Sequence, residues 1–498
     1  MIPLTFIKLK RRYYFMKYKF QRLNHIWKFI ILALLGVLLW ICVWNSSSES
    51  VVHVSYDKET SLEVHKTVQQ NVENYCNFPM RTSGAEGSLN LDKLLNQQRF
   101  QLEMTQVLIR HGDRTPAVFI ANMDNGNYDY DCTFKTADYN HQQMFEEYAQ
   151  ATRHFTLREF AKVAKTIHHL LPSGQKCQIG QLTQKGFLQH FSLGKHMRTA
   201  YSGLINTGIK SSDLLVRSTQ RRRCVQSAAA FLYGLLTKDT IMSEGVTINI
   251  TSEIWFKEDD DGVSYHCPSL RRRWDQYKQR RDYVAGAAKI EPIMQQFSRL
   301  LRTPRASLPT IIFLTDAIYT RHCYKYTLPC GPGGCVSEEM AAKAMEFGTW
   351  AITENCTGIA DVATHPMLIQ IAKRMINKSQ RKSTLKFVLL SGHDTTVTPL
   401  LLNLGVHDRK RWTPYATRVA FELWRDTAVD SSQQPDAIDN FYFRVLVNGK
   451  VVTSKMKFCG DALVKGELCP VQELVSWLSD GTGVEGMDKK YKTLCSFS

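Results

Sequence analysis

Two short apolar runs, each emptying into a loop built around a histidine, constrain this chain more than anything else in it. Val107-Leu108-Ile109 leads into Arg110-His111-Gly112-Asp113-Arg114-Thr115-Pro116. About 280 residues later Lys386-Phe387-Val388-Leu389-Leu390 leads into Ser391-Gly392-His393-Asp394-Thr395-Thr396. Apolar runs of this length, stopped by Gly and Pro, read as buried strands. The small residues 391 and 392 permit close backbone approach. Two arginines around a histidine make a pocket for an anion, because planar guanidinium groups grip phosphate oxygens in pairs and a neighbouring imidazole can attack phosphorus. The His-Asp pair of the second loop supplies what such a site needs opposite the nucleophile. The histidine can donate to a non-bridging oxygen, and the acid can protonate a leaving alcohol. Alone, the first loop would be a basic surface turn and the second a helix cap beside a core histidine; together they describe a phosphoryl-transfer site.

Further blocks lie between and after these loops. They are Leu182-Thr183-Gln184-Lys185-Gly186 with Gln189 and Tyr201, the stretch Arg217-Ser218-Thr219-Gln220-Arg221-Arg222-Arg223-Cys224-Val225-Gln226-Ser227, and Pro414-Tyr415-Ala416 with Phe421-Glu422-Leu423-Trp424. In this order they resemble the histidine acid phosphatases, a branch of the histidine phosphatase superfamily. That resemblance implies an α/β fold of phosphoglycerate-mutase type: a mostly parallel sheet with helices on both faces and an inserted, mostly helical subdomain. It implies His111 as nucleophile and Asp394 as general acid, with Arg110, Arg114, Arg223 and His393 on the phosphate and Arg217 facing the same pocket. It implies no cofactor and no metal, and no Cys/His cluster in the sequence has zinc-site spacing. Cys224 departs from the family, which usually has threonine there, and so puts substrate identity in doubt. The surroundings of Cys76, Cys132, Cys177, Cys330, Cys335, Cys459 and Cys469 resemble the Golgi branch of the family that acts on a phosphorylated xylose in the proteoglycan linkage region. The expected partner is thus a phosphorylated sugar or another phosphate ester. A broad-specificity acid phosphatase and a non-catalytic luminal ectodomain keeping the fold remain as alternatives.

The formal charge of +17 is unevenly placed. Residues 1–28 carry eight Lys and Arg and no acid, which leaves +9 for the rest. Phe29 to Trp44 is uncharged, with Trp27 and Trp44 at its ends. This pattern predicts a cytoplasmic basic tail (1–28), a signal anchor across the membrane (29–44), a polar stem (45–95) and a luminal phosphatase domain (96–498). The expected location is the Golgi membrane, in single-pass type II orientation. Beyond Cys42 lie twelve cysteines, an even number that suits disulfides in an oxidising lumen. Cys330/Cys335 and Cys459/Cys469 are the expected local pairs. Asn249, Asn355 and Asn377 head glycosylation sequons. The basic run Arg271 to Arg281 reads as a solvated helix face, and a luminal location removes nucleic acid as its ligand. Strand-like runs fall at 106–109, 213–217, 310–315 and 386–390, His365-Pro366 is expected to start a helix, and His168-His169 to lie at the surface.

Overall fold

The computed structural model describes residues 58–496, apart from 79, 81, 90–98, 125–129, 160–169, 173–176, 206–207, 253, 261–263 and 429–437. The basic tail, the anchor and His168-His169 lie outside the described residues. Among those described, no helix is long and apolar enough to cross a membrane. The chain divides into Met1–Leu62 and Glu63–Ser498, and the fold below is that of the second unit.

Its frame is one nine-stranded sheet among the described residues. In chain order the elements that matter are α1 (Lys58–Cys76), β1 (Phe100–Arg110), β2 (Phe155–Glu159), α2 (Gln184–Ala200), β3 (Leu214–Thr219), α3 (Arg222–Leu235), β4 (Val246–Thr251), α4 (Leu270–Lys278), α5 (Ile311–His322), α6 (Glu338–Thr357), α7 (Ala360–Ser379), β5 (Phe387–Gly392), α8 (Asp394–Asn403), β6 (Arg418–Asp426), β7 (Phe441–Val447), β8 (Lys450–Val451), β9 (Cys469–Pro470) and α9 (Val471–Ser479). Side by side the strands run β8-β7-β6-β1-β5-β3-β4-β2, with β9 on β7. From β1 through β5, β3, β4 and β2 all pairs are parallel, and β6 to β9 add an antiparallel flank.

The apolar runs are continuous because both faces of the sheet are covered. Leu108, Val388 and Leu390 point into a core with Leu368, Ile371, Leu400 and Leu474 from α7, α8 and α9. Val107, Ile109 and Leu389 point the other way, against Leu193, Met197, Ala228 and Phe231 from α2 and α3. A third core joins the helices inserted between β4 and β5, including Leu314, Ile318, Ala344 and Met345 of α5 and α6.

Several expectations need correction. Residues 310–315 begin α5 rather than a strand; Thr310 and Thr315 flank an apolar run too short for periodicity to separate the two. Pro366 sits inside α7 instead of opening it, with His365 facing the Met487 carbonyl at 3.2 Å. The stem boundary at 95 does not hold, because Val68, Val72, Tyr75 and Cys76 are buried in the third core. Asn249, on β4, is buried and donates its amide to the Val216 carbonyl at 3.0 Å, so its sequon is closed, whereas Asn377 is exposed. Cys330–Cys335 and Cys459–Cys469 pair as expected; Cys76–Cys323, Cys132–Cys177 and Cys267–Cys495 complete five disulfides among the described residues. Cys224 and Cys356 remain as buried thiols.

Candidate active site

β1 and β5 are parallel neighbours with Arg110 opposite Gly392, so the two histidine loops leave the sheet together. The His111 N–H donates to the Gly392 carbonyl at 2.9 Å, and the two imidazoles stand 5.6 Å apart, nearly perpendicular. The first loop is pressed against the start of α2. A Cβ on Gly112 would lie 2.4 Å from the Gly186 carbonyl oxygen, and one on Gly186 would lie 2.2 Å from that of Asp113. Only glycine fits either position. Thr183 caps α2, accepting from the Gly186 N–H, and donates to Asp113 Oδ1 at 2.5 Å. Burial pushes the Asp113 carboxyl up to about 6, against the pull of Thr183, Lys185 and Tyr324.

His111 is fully enclosed. Its Nδ1 lies 2.9 Å from the Gly112 carbonyl, which can only accept, so Nδ1 carries the hydrogen and Nε2 the free lone pair. Burial, then the charges of Arg223, Arg110 and Arg114, hold its pKa well below the ordinary value, so the ring is neutral. His393 meets the Thr219 hydroxyl at 2.9 Å through Nε2, and Arg223 Nη2 at 3.5 Å through Nδ1. The Cys224 thiol donates to the Gly392 carbonyl at 3.3 Å and touches the His393 ring at 3.5 Å. Burial pushes that thiol up to about 11, so it stands as a weak donor in place of a hydroxyl.

Three guanidinium groups converge here. Arg110, wholly buried, pairs with Asp394 Oδ2 at 3.0 Å and donates to the Tyr75 hydroxyl at 3.0 Å and to the Thr413 carbonyl. It lies over the Tyr415 and Tyr75 rings at 4.4 and 4.9 Å. Arg114 forms a fork with Asp316 on α5, at 2.8 and 3.0 Å. Arg223, in the first turn of α3, meets no carboxylate at ion-pair distance among the described residues, and its Nε has no partner. Burial lowers its pKa to about 10, which leaves it charged at neutral pH. Burial keeps His393 neutral as well, and Arg110 and Arg114 are each balanced by a carboxylate while Arg223 is not.

Arg217 does not join them. Its guanidinium donates to the Glu258 carbonyl and Gln370 Oε1, both at 2.7 Å, and faces the Glu258 carboxylate at 3.3 Å. A buried guanidinium needs partners, and Glu258 from the segment after β4 and Gln370 of α7 supply them.

Asp394 opens α8. Oδ1 accepts the Thr395 N–H at 2.8 Å; Oδ2 accepts the Trp412 indole N–H at 2.8 Å and faces Arg110. Burial raises its pKa, but Arg110 and the indole outweigh that and hold the carboxyl at about 2. Tyr75, Asp316, Thr219 and Trp412 complete the surroundings without having been singled out in the sequence. Tyr75 was visible only as the neighbour of Cys76, and Thr219 only as part of the R-S-T block. A lone aspartate in a helix and a lone tryptophan in a loop carry no pattern at all.

Residues 101–304 and 358–448 match the model of the histidine phosphatase superfamily (branch 2). The chain belongs to this superfamily. This histidine phosphatase is similar to 2-phosphoxylose phosphatase 1 of Xenopus tropicalis, 29% identical over 426 residues that cover 81% of this chain and 78% of the relative. It is also similar to the lysosomal acid phosphatase of Xenopus laevis, 24% identical over 307 residues that cover 60% and 68% of the two chains. Among solved structures, a phytase of Hafnia alvei aligns with a TM-score of 0.47 and 15% identity, over 81% of this chain and all of the phytase. The histidine phosphatase is a phosphoric monoester hydrolase. Tyr75 precedes the matched residues, yet its hydroxyl touches the arginine before the first histidine.

Proposed function

We propose that this phosphatase removes the phosphate from a phosphorylated sugar, 2-phosphoxylose of the proteoglycan linkage region, through a phosphohistidine on His111. One observation carries the chemistry: a neutral imidazole with a free Nε2, held among three arginines of which one lacks a carboxylate partner. Nε2 attacks phosphorus while Arg110, Arg114 and Arg223 neutralise the equatorial oxygens, and His393 donates to one of them. The bond from phosphorus to the sugar oxygen breaks, and its electron pair leaves on that oxygen, which takes the proton of Asp394. The resulting carboxylate then accepts a proton from water as the water oxygen attacks the phosphohistidine, which releases inorganic phosphate and restores both residues.

Asp394 is ionised in the empty site, so its proton must be taken up with the substrate. A phosphate monoester has its second ionisation near pH ~6. Below that pH the ester arrives as a protonated monoanion, and its negative charge raises the proton affinity of the carboxyl beside it. An acidic working range follows. The sugar reading rests on the similarity to 2-phosphoxylose phosphatase 1 along most of both chains. A membrane-anchored enzyme in the Golgi lumen fits the uncharged segment 29–44 and the five disulfides, which persist in oxidising compartments.

The test compares hydrolysis of a 2-phosphoxylose-containing linkage oligosaccharide with that of an aryl phosphate. The expected result is a kcat/KM at least tenfold higher for the oligosaccharide, with both activities abolished in a folded His111→Ala variant. Equal kcat/KM values would reject the sugar reading, and an active His111→Ala would reject the nucleophile.

A further inference from the structure

The segment between α8 and β6 holds an ion pair from both sides at once, Arg110 of the first histidine loop and Asp394 of the second. The Thr413 carbonyl accepts from Arg110 Nη1, the Thr413 hydroxyl bonds that of Thr398 on α8 at 2.7 Å, and the neighbouring Trp412 indole N–H reaches Asp394 Oδ2 at 2.8 Å. The indole has no room to swing. It is 5% exposed and packs edge-on against the Tyr75 and Tyr319 rings at 5.9 and 6.1 Å. An indole N–H donates and never accepts. It therefore favours the carboxylate over any carboxyl rotamer that turns an O–H towards it.

We infer that Trp412 is a positioning residue for the acid of this reaction: its indole N–H fixes the plane of the Asp394 carboxyl, so that the proton is carried on the side facing the leaving oxygen. The inference rests on the reading of Asp394 as the acid. Two of the four lone-pair directions of the carboxyl are taken by Thr395 and Trp412, and Arg110 lies against the same oxygen as the indole. A proton taken up with substrate must occupy what remains. Removing the indole donor frees the carboxyl to rotate and makes it easier to protonate. The other titratable and charged groups that act on Asp394 are Arg110, Arg114, His393, Arg223, Tyr75, Cys224 and Cys356, and a substitution at Trp412 retains every one of these side chains.

The experiment measures kcat and KM against pH for Trp412→Phe, Trp412→Gln and Asp394→Asn, with an alkyl phosphate and an activated aryl phosphate. A good leaving group departs without a proton, so the acid matters only for the alkyl ester. Trp412→Phe is expected to lower kcat about tenfold on the alkyl ester and less than twofold on the aryl ester, with KM unchanged. The alkaline limb of the alkyl profile should move up by about one pH unit, the size of one hydrogen bond to a charged acceptor. Trp412→Gln, which returns an N–H donor, should recover most of the alkyl rate. Equal losses on both esters, or an unmoved alkaline limb, overturn the inference if Asp394→Asn itself discriminates between the esters. If Asp394→Asn loses both activities equally, the acid reading fails and the inference falls with it. Should Trp412→Phe not fold, Trp412→Gln decides alone: a wild-type alkaline limb and leaving-group dependence support the donor role, and a wild-type limb with equal losses on both esters refutes it.

Discussion

Replacing Asp316 by Ala removes the partner of Arg114, an arginine of the candidate site, without touching the histidines. Arg114 and Asp316 are 5% and 2% exposed, and Asp316 also accepts the Ala117 N–H at 2.8 Å. The substitution therefore leaves a guanidinium buried without its carboxylate and an amide without its acceptor. Breaking a buried pair from one side costs about 3–5 kcal/mol, a large part of the ~5–15 kcal/mol that separates a folded chain from its unfolded state. The same loss raises the positive charge around His111, and an oxyanion can substitute for the missing carboxylate. Thermal melting with and without inorganic phosphate should then show two linked effects. Asp316→Ala melts well below wild type in plain buffer, and saturating phosphate stabilises it by roughly 1–3 kcal/mol more than it stabilises wild type. With Arg114 less well aimed, kcat/KM should fall about 10- to 100-fold. A variant that melts with wild type and gains no more from phosphate would refute the claim that Asp316 neutralises and aims Arg114.

Two further outcomes can be checked. Burial raises the Glu86 pKa, but hydrogen bonds and charge from His196 and Arg418 bring it down from 4.5 to about 2. A folded-state pKa depressed in this way contributes stability that is present above about pH 4.5 and lost as pH falls towards about 2, so acid unfolding should begin below the working range; in Glu86→Gln it should begin at higher pH when followed by circular dichroism. Replacing both Cys76 and Cys323 by Ala opens a loop with a sequence separation of 247 residues, an entropic loss of roughly 5 kcal/mol at most. Urea titration should give a clearly lower midpoint, and an unchanged midpoint would mean that packing of α1 already supplies the constraint.

The legible parts of this chain were those in which residues of the candidate site are neighbours in sequence. Arg110, His111 and Arg114 share one loop, His393 and Asp394 another, and the register of β1 on β5 brings the loops together as a parallel pair should. Arg223 was picked from a run of three arginines by the family resemblance alone; in the structure α3 starts at Arg222 and Arg223 lies beside His393, while Arg222 donates to the Leu171 carbonyl. Arg217 misled for the opposite reason. It sits in the right block, but its side chain is claimed by Glu258 and Gln370, acceptors 41 and 153 residues away that no local pattern announces. Segment 45–95 was read as a stem because apolar residues such as Val68, Val72 and Tyr75 are sparse among polar ones. Only the third core shows that three such residues and a disulfide suffice to dock a helix.

The placement of β1 has a consequence for how the protein is made. Both of its neighbours, β5 at Phe387–Gly392 and β6 at Arg418–Asp426, are synthesised long after it, about 280 and about 310 residues later. At roughly 5–20 residues per second, the newborn strand waits tens of seconds with both edges open. An apolar strand in that state is a template for the wrong partner, so this is the stretch that a chaperone would have to shield during synthesis. The delay extends to the candidate site: a chain that has not yet reached Asp394 carries the first histidine loop without the second histidine or the aspartate, so the two loops can meet only after β5 has been made.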